Sequence, residues 1–195
     1  MLKTDIIDYF DKLAQTWDNV QVRNEDVIKM ILEKSGIRKD IAVLDVACGT
    51  GVLFSDYLNY GVASVTGIDI STEMVNIARC KFPQVEIICD DAEQYTFQNL
   101  YDVVMIYNAF PHFPNPDQLF KNLSTALKVG GRFTIAHGLS EQELEKCHFA
   151  CAESVSEHLP SKERLSEMMS DYFDVDIMIS DEQMYMVSGT KPYLK

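Results

Sequence analysis

Carboxylates, amides and histidines stand in this chain at the ends of apolar runs, spaced so that one ligand could meet them all. Asp45 closes Val43-Leu44, and after Val46-Ala47-Cys48 come two spaced glycines, Gly49 and Gly51. Asp69 closes Val65-Thr66-Gly67-Ile68, and Asp90-Asp91-Ala92 follows a third apolar run. Tyr107-Asn108 and His137 end two more. Carboxylates accept from hydroxyl and amino groups. A glycine turn brings backbone closer to a ligand than a side chain would allow. Successive carboxylates beside such a turn describe a nucleoside-shaped site.

These residues need strand ends to carry them. The pattern predicts strands over 41–46, 64–69, 85–89, 102–107 and 131–136, with helices over 51–60, 72–81 and 116–127 between them. Alternation of this kind implies a parallel sheet covered on both faces, with right-handed crossovers. Ser71 reads as the N-cap of the 72–81 helix, and Pro83 stops it. Upstream, helices are expected over 2–15 and 25–34, the second stopping at Ser35-Gly36. Downstream, 138–170 reads as helical with a break at Leu159-Pro160 and Ser161 as a new N-cap. Phe173–Ile179 and Met184–Thr190 alternate apolar and polar residues across a link too short for a crossover helix, so they should pair antiparallel.

The expected fold is therefore α/β, a doubly wound seven-stranded sheet, mostly parallel with the last strand antiparallel. We read 1–195 as a single domain with a helical cap (1–38), a ligand-binding core (39–137), a helical lid or extra layer (138–170) and a closing strand pair (171–195).

Composition narrows the function. A net charge of −13 over 195 residues opposes broad binding to nucleic-acid phosphates. No apolar run approaches the roughly 20 residues of a membrane span. The N-terminus has no basic region followed by an apolar stretch, and five irregularly spaced cysteines make a poor disulfide framework. These features predict a cytoplasmic protein acting on a small molecule, as a monomer or homodimer.

The glycine turn excludes two common nucleotide sites. A dinucleotide site wants a third glycine, but Val52-Leu53-Phe54 follows Gly51. A Walker loop needs a lysine that is absent here. Asp45 would repel a pyrophosphate and would suit an ammonium or a sulfonium. At this point the chain resembles the class I S-adenosylmethionine-dependent methyltransferases, with a Rossmann-like sheet. The matching residues are Leu44-Asp45-Val46-Ala47-Cys48-Gly49-Thr50-Gly51, Gly67-Ile68-Asp69-Ile70-Ser71, Asp91-Ala92 and Leu127-Lys128-Val129-Gly130-Gly131-Arg132. The opening Tyr9-Phe10-Asp11-x-Leu13-Ala14-x-x-Trp17-Asp18 is similar to the start of many small-molecule members.

The resemblance implies roles for S-adenosylmethionine and its product S-adenosylhomocysteine. Gly49 and Gly51, with Ala47 and Cys48, would shape the turn under the methionine part, with Asp45 near its ammonium. Asp69 would accept from both ribose hydroxyls, while Ile70 and Met74 pack on the adenine. Asp91 would accept from the adenine amino group and the Ala92 amide would donate to the ring. The Asn108 carbonyl would hold the ammonium, and Trp17 would face the cofactor from the N-terminal side. Ala47 departs from the glycine that many members carry. His112, on the loop that reaches the methyl in this family, and His137, at the fifth strand end, are the candidate catalytic residues, with pKa values suited to a base or orienting donor.

Cys147-His148-x-x-Cys151 could join His112 or His137 in a metal or thiophilic site. Amphipathic packing explains the same residues, and no metal ligand is assigned. Two rival functions stay open: a catalytically silent adenosylmethionine or metal binder, and a NAD(P)-dependent oxidoreductase.

Overall fold

The computed structural model describes residues 2–20, 23–144 and 155–193. Helices α1 (Lys3–Leu13), α2 (Trp17–Val20) and α3 (Glu25–Lys34) precede the first strand, with a 3₁₀ turn at Ala14–Thr16 between the first two. Asn24 caps α3 by accepting from the Val27 amide at 3.3 Å, and the helix buries Val27, Ile28, Ile31 and Leu32 on one face. Strands and helices then alternate: β1 (Ala42–Val46), α4 (Phe54–Asn59), β2 (Ser64–Asp69), α5 (Thr72–Lys81), β3 (Glu86–Cys89) and β4 (Tyr101–Tyr107). After these come α6 (Pro116–Ala126), β5 (Leu127–His137), α7 (Lys162–Met169), β6 (Asp174–Ser180) and β7 (Tyr185–Thr190).

The strands form one sheet in the order β3-β2-β1-β4-β5-β7-β6. Only β7 runs against its neighbours, antiparallel to both β5 and β6, as the short link between the last strands predicts. Alternate residues of the central strands serve opposite layers. Val43, Val103 and Met105 join the core under α3 and α4. Leu44, Val46, Val104 and Ile106 join the core under α6 and α7. Strand order reverses between β1 and β4, so their carboxyl ends diverge and leave a crevice.

Ser71 caps α5 by accepting from the Met74 amide, and Ser161 caps α7 by accepting from that of Arg164. Three expectations shift. The helix expected from 51 starts at Phe54, because Gly51 lies at φ +83° and its amide closes a turn onto the Cys48 carbonyl at 2.9 Å. The strand expected from 131 starts at Leu127, which pairs with Tyr101 before a register shift. The helical region 138–170 keeps α7, whereas 156–160 has no helical hydrogen bonding before Pro160; residues 145–154 lie outside the described set. Among the described residues, no helix is long and apolar enough to cross a membrane.

Candidate functional site

A cavity with about 930 Å³ of empty space, its mouth included, lies at the carboxyl ends of β1, β2 and β4. That is room for a nucleoside-sized ligand. Its floor is the turn after β1. The Cys48 amide donates to the Ile68 carbonyl at 3.2 Å, and the Gly49 amide donates to Asp69 Oδ2 at 2.8 Å. Ala47, Gly49 and Gly51 all hold positive φ, at 55°, 54° and 83°. Glycine is needed at Gly51 for a second reason: a Cβ there would lie 2.7 Å from Phe54 Cδ2. The same ring forbids a side chain at Gly67, whose Cβ would stand 2.6 Å from Phe54 Cζ. Gly51 thus shapes the floor from below and does not line the cavity.

Among the carboxylates that line the cavity wall, Asp45, Asp69 and Asp91 stand at or just beyond strand ends. Asp69 accepts from Gly49 with Oδ2 and from the Ser71 amide with Oδ1 at 2.9 Å. Burial pushes its carboxyl up to about 6, against the opposing pull of those amides. Asp45 is buried in the same wall, and no hydrogen-bond donor or cation among the described residues meets its carboxylate. Burial, then the charge of Asp69, raises it well above the usual carboxylate range. Asp91 accepts from the Glu93 amide at 3.0 Å, and Ala92 lies beside it. Ile70, Met74, Cys48 and Asn108 complete the lining, and Trp17 reaches over Gly49. Asn108 sits at φ 55°; its amide donates to the Ala136 carbonyl and its side-chain oxygen accepts from Gly138, both at 2.9 Å, tying the end of β4 to β5.

The methyltransferase-domain family model matches residues 43–131, the span that carries this floor and wall. This stretch of the chain is similar to a methyltransferase domain. A malonyl-[acyl-carrier protein] O-methyltransferase from Ilyobacter polytropus is 29% identical over 132 residues, 65% of this chain and 49% of that protein. The ubiquinone biosynthesis O-methyltransferase of Coxiella burnetii is 30% identical over 135 residues, 63% of this chain and 57% of that protein. The chain therefore spans about half the length of these curated relatives. Among solved structures, a Haloferax volcanii protein in complex with a methyltransferase activator superposes with a TM-score of 0.80 at 20% identity, over 94% of this chain and 98% of that one. The magnesium protoporphyrin IX methyltransferase of Synechocystis, solved with bound SAH, gives 0.73 at 18% identity, over 97% and 100%.

In this chain the two candidate catalytic histidines part company. His112 lines the cavity on a 3₁₀ turn (Phe110–His112), with the Phe10 ring 4.8 Å away, edge to face. Its Nδ1 lies 2.9 Å from the Val155 carbonyl and 3.1 Å from Ser156 Oγ. A carbonyl can only accept, so Nδ1 carries the proton and Nε2 is left as the acceptor. His137 is buried beside Tyr185, ring centroids 6.0 Å apart, and is not among the described lining residues. Cys147, His148 and Cys151 lie outside the described residues; among those described, no three His, Cys, Asp or Glu side chains converge as a metal group would. Two cavity-lining positions went unread in the sequence. Glu93 is a buried carboxylate that accepts from both nitrogens of Asn115 at 3.0 Å, and Lys3 reaches across to line the same end of the cavity. The alternation after β3 ends at Asp90-Asp91 and carries no mark of Glu93; Lys3 reads as an ordinary surface lysine.

Proposed function

We propose that this chain binds S-adenosylmethionine in the cavity and transfers its methyl group to a small-molecule acceptor by in-line displacement, releasing S-adenosylhomocysteine. One observation carries the reading. Asp45 is a buried carboxylate in the cavity wall with no donor or cation among the described residues. A buried charge without a partner is costly, and an ammonium from the ligand would relieve that cost. A pyrophosphate would aggravate it, which counts against a dinucleotide.

The other residues suit the same ligand. Asp69 offers lone pairs to paired ribose hydroxyls beyond those its two amide partners use. Ile70 and Met74 give an apolar face for a purine, with Asp91 and the Ala92 amide at its edge. S-adenosylmethionine, when bound, supplies a methyl activated on a sulfonium. The chain's own part is then to hold donor and acceptor in line and keep water out, the proximity effect that dominates such transfers. Phe10 bridges Trp17 and His112 with edge-to-face contacts of 5.6 and 4.8 Å and so screens the mouth. Nε2 of His112 can take a proton from an acceptor that must lose one.

The test is mass spectrometry of a metabolite extract incubated with the protein and methyl-labelled cofactor. A labelled product identifies the acceptor. Binding of S-adenosylhomocysteine in calorimetry without any labelled product points to a silent binder. Absence of binding at millimolar ligand overturns the proposal.

A further inference from the structure

We infer that Lys3 is a latch: its ammonium fastens the start of α1 over the purine end of the cavity and sets the rate at which cofactor enters and leaves. The inference rests on the proposed cofactor reading. Lys3 sits in the first turn of α1, yet it forms ion pairs with two carboxylates far along the chain, Asp91 and Glu93, the second at 2.5 Å. Glu93 is 1% exposed, and its other partners are the two neutral nitrogens of Asn115. Lys3, itself a quarter exposed, is thus the counter-ion of a buried charge.

The latch stands where the ligand must pass. Asp91 gives Oδ1 to the Glu93 amide, which leaves Oδ2 for a purine amino group, and Oδ2 is the oxygen that Lys3 holds. Ile6 and Phe10, one and two turns further along α1, line the cavity, so lifting this helix uncovers the site. Little else holds the start of the helix. Its N-cap has no side-chain hydrogen bond, Leu2 is exposed, and Ile6 is the one fully buried residue of α1. The far end is pinned separately. Asp11 accepts from Ser71 Oγ at 2.5 Å and from the Glu73 amide at 3.1 Å, and beyond it Asp18 accepts from Thr50 Oγ1 at 2.5 Å and Lys81 Nζ at 2.6 Å. Helix α1 is therefore hinged at its C-terminal side and latched at its N-terminal side.

Trp17, the chain's sole tryptophan, lines the cavity and can report exchange directly. The experiment mixes S-adenosylhomocysteine with the whole chain in stopped flow and follows tryptophan fluorescence for wild type, K3M and K3R. K3M should raise both association and dissociation rates about three- to tenfold, leaving Kd within about threefold, as expected for losing a partly exposed ion pair on a moving element. K3R should restore wild-type rates. Raising salt from about 50 to about 500 mM should speed exchange in wild type and leave K3M flat, since screening weakens the same pair. Unchanged rates in K3M overturn the latch. So does a lowered melting midpoint in K3M with unaltered exchange, which marks Lys3 as merely structural. A wild-type chain that gives neither a fluorescence change nor calorimetric heat overturns the cofactor reading, and the latch with it.

Discussion

Cofactor affinity should fall as the pH drops from 7 to 5, and the size of the fall can be worked from Asp69. Burial pushes this carboxyl up to about 6; the Ser71 and Gly49 amides pull it down, and the charge of Asp11 pushes it further up. In the empty site it is then about nine-tenths ionised at pH 7 and about one-tenth at pH 5. Ribose hydroxyls donate best to the ionised form, so ligand binding expels the proton. One such proton makes S-adenosylhomocysteine about tenfold weaker at pH 5 than at pH 7, or about 1.4 kcal/mol. The sign for folding is opposite. The folded empty chain holds a proton that the unfolded chain releases near pH 4, so this group adds stability at low pH and loses it as pH rises through about 6. Calorimetry at pH 5, 6 and 7, in two buffers of unlike ionisation heat, measures both affinity and proton release. Asp69→Asn should bind about thirtyfold weaker at pH 7, having lost a charge-assisted acceptor, and should lose this pH step. Asp45, raised in the same direction by burial and by Asp69, would steepen the fall. A wild-type Kd constant within twofold from pH 5 to 7, with D69N still weak, would refute the reasoning.

Three other outcomes follow from the same site. His112→Gln should cut turnover about a hundredfold or more for an acceptor that loses a proton, with S-adenosylhomocysteine affinity within twofold; equal loss of both would remove it from proton transfer. Gly51→Ala should destabilise the fold by about 2–4 kcal/mol in urea unfolding, through left-handed strain at φ +83° and the 2.7 Å clash with Phe54. Ala47→Gly should stabilise it by about 0.5–1 kcal/mol, because relief of strain at φ 55° exceeds the added entropy of the unfolded chain; a measured loss would show that the turn relies on the methyl group.

The strand-end residues were legible because period-two burial and the βα rhythm are local signals. Asp45, Asp69 and Asp91 each close an apolar run, and the structure brings all three into one wall. What stayed hidden depends on long-range geometry. Lys3 and Glu93 lie ninety positions apart and acquire a meaning only when α1 folds back across the strand ends. His137 looked equivalent to His112 because both sit near strand ends. Its side chain is instead buried near Tyr185 of β7, which pairs with it across the antiparallel ladder. The late start of α4 has a similar origin: its first turn is spent on the floor of the cavity.

Phe54 fills the space beneath two glycines at once, and this makes three positions one unit of sequence drift. A methyl group at Gly67 collides with the Phe54 ring at 2.6 Å and with Cys48 Sγ at 2.8 Å, and one at Gly51 lies 2.7 Å from the same ring and 3.0 Å from that of Phe82. A smaller residue at Phe54 would remove the nearest clash at either glycine, leaving Cys48 to shift at Gly67 and Phe82 at Gly51, and would leave a void wherever glycine remained. Variants of this floor should therefore survive in combinations rather than singly. The ancestry of the turn would be recorded in a core phenylalanine that does not line the cavity.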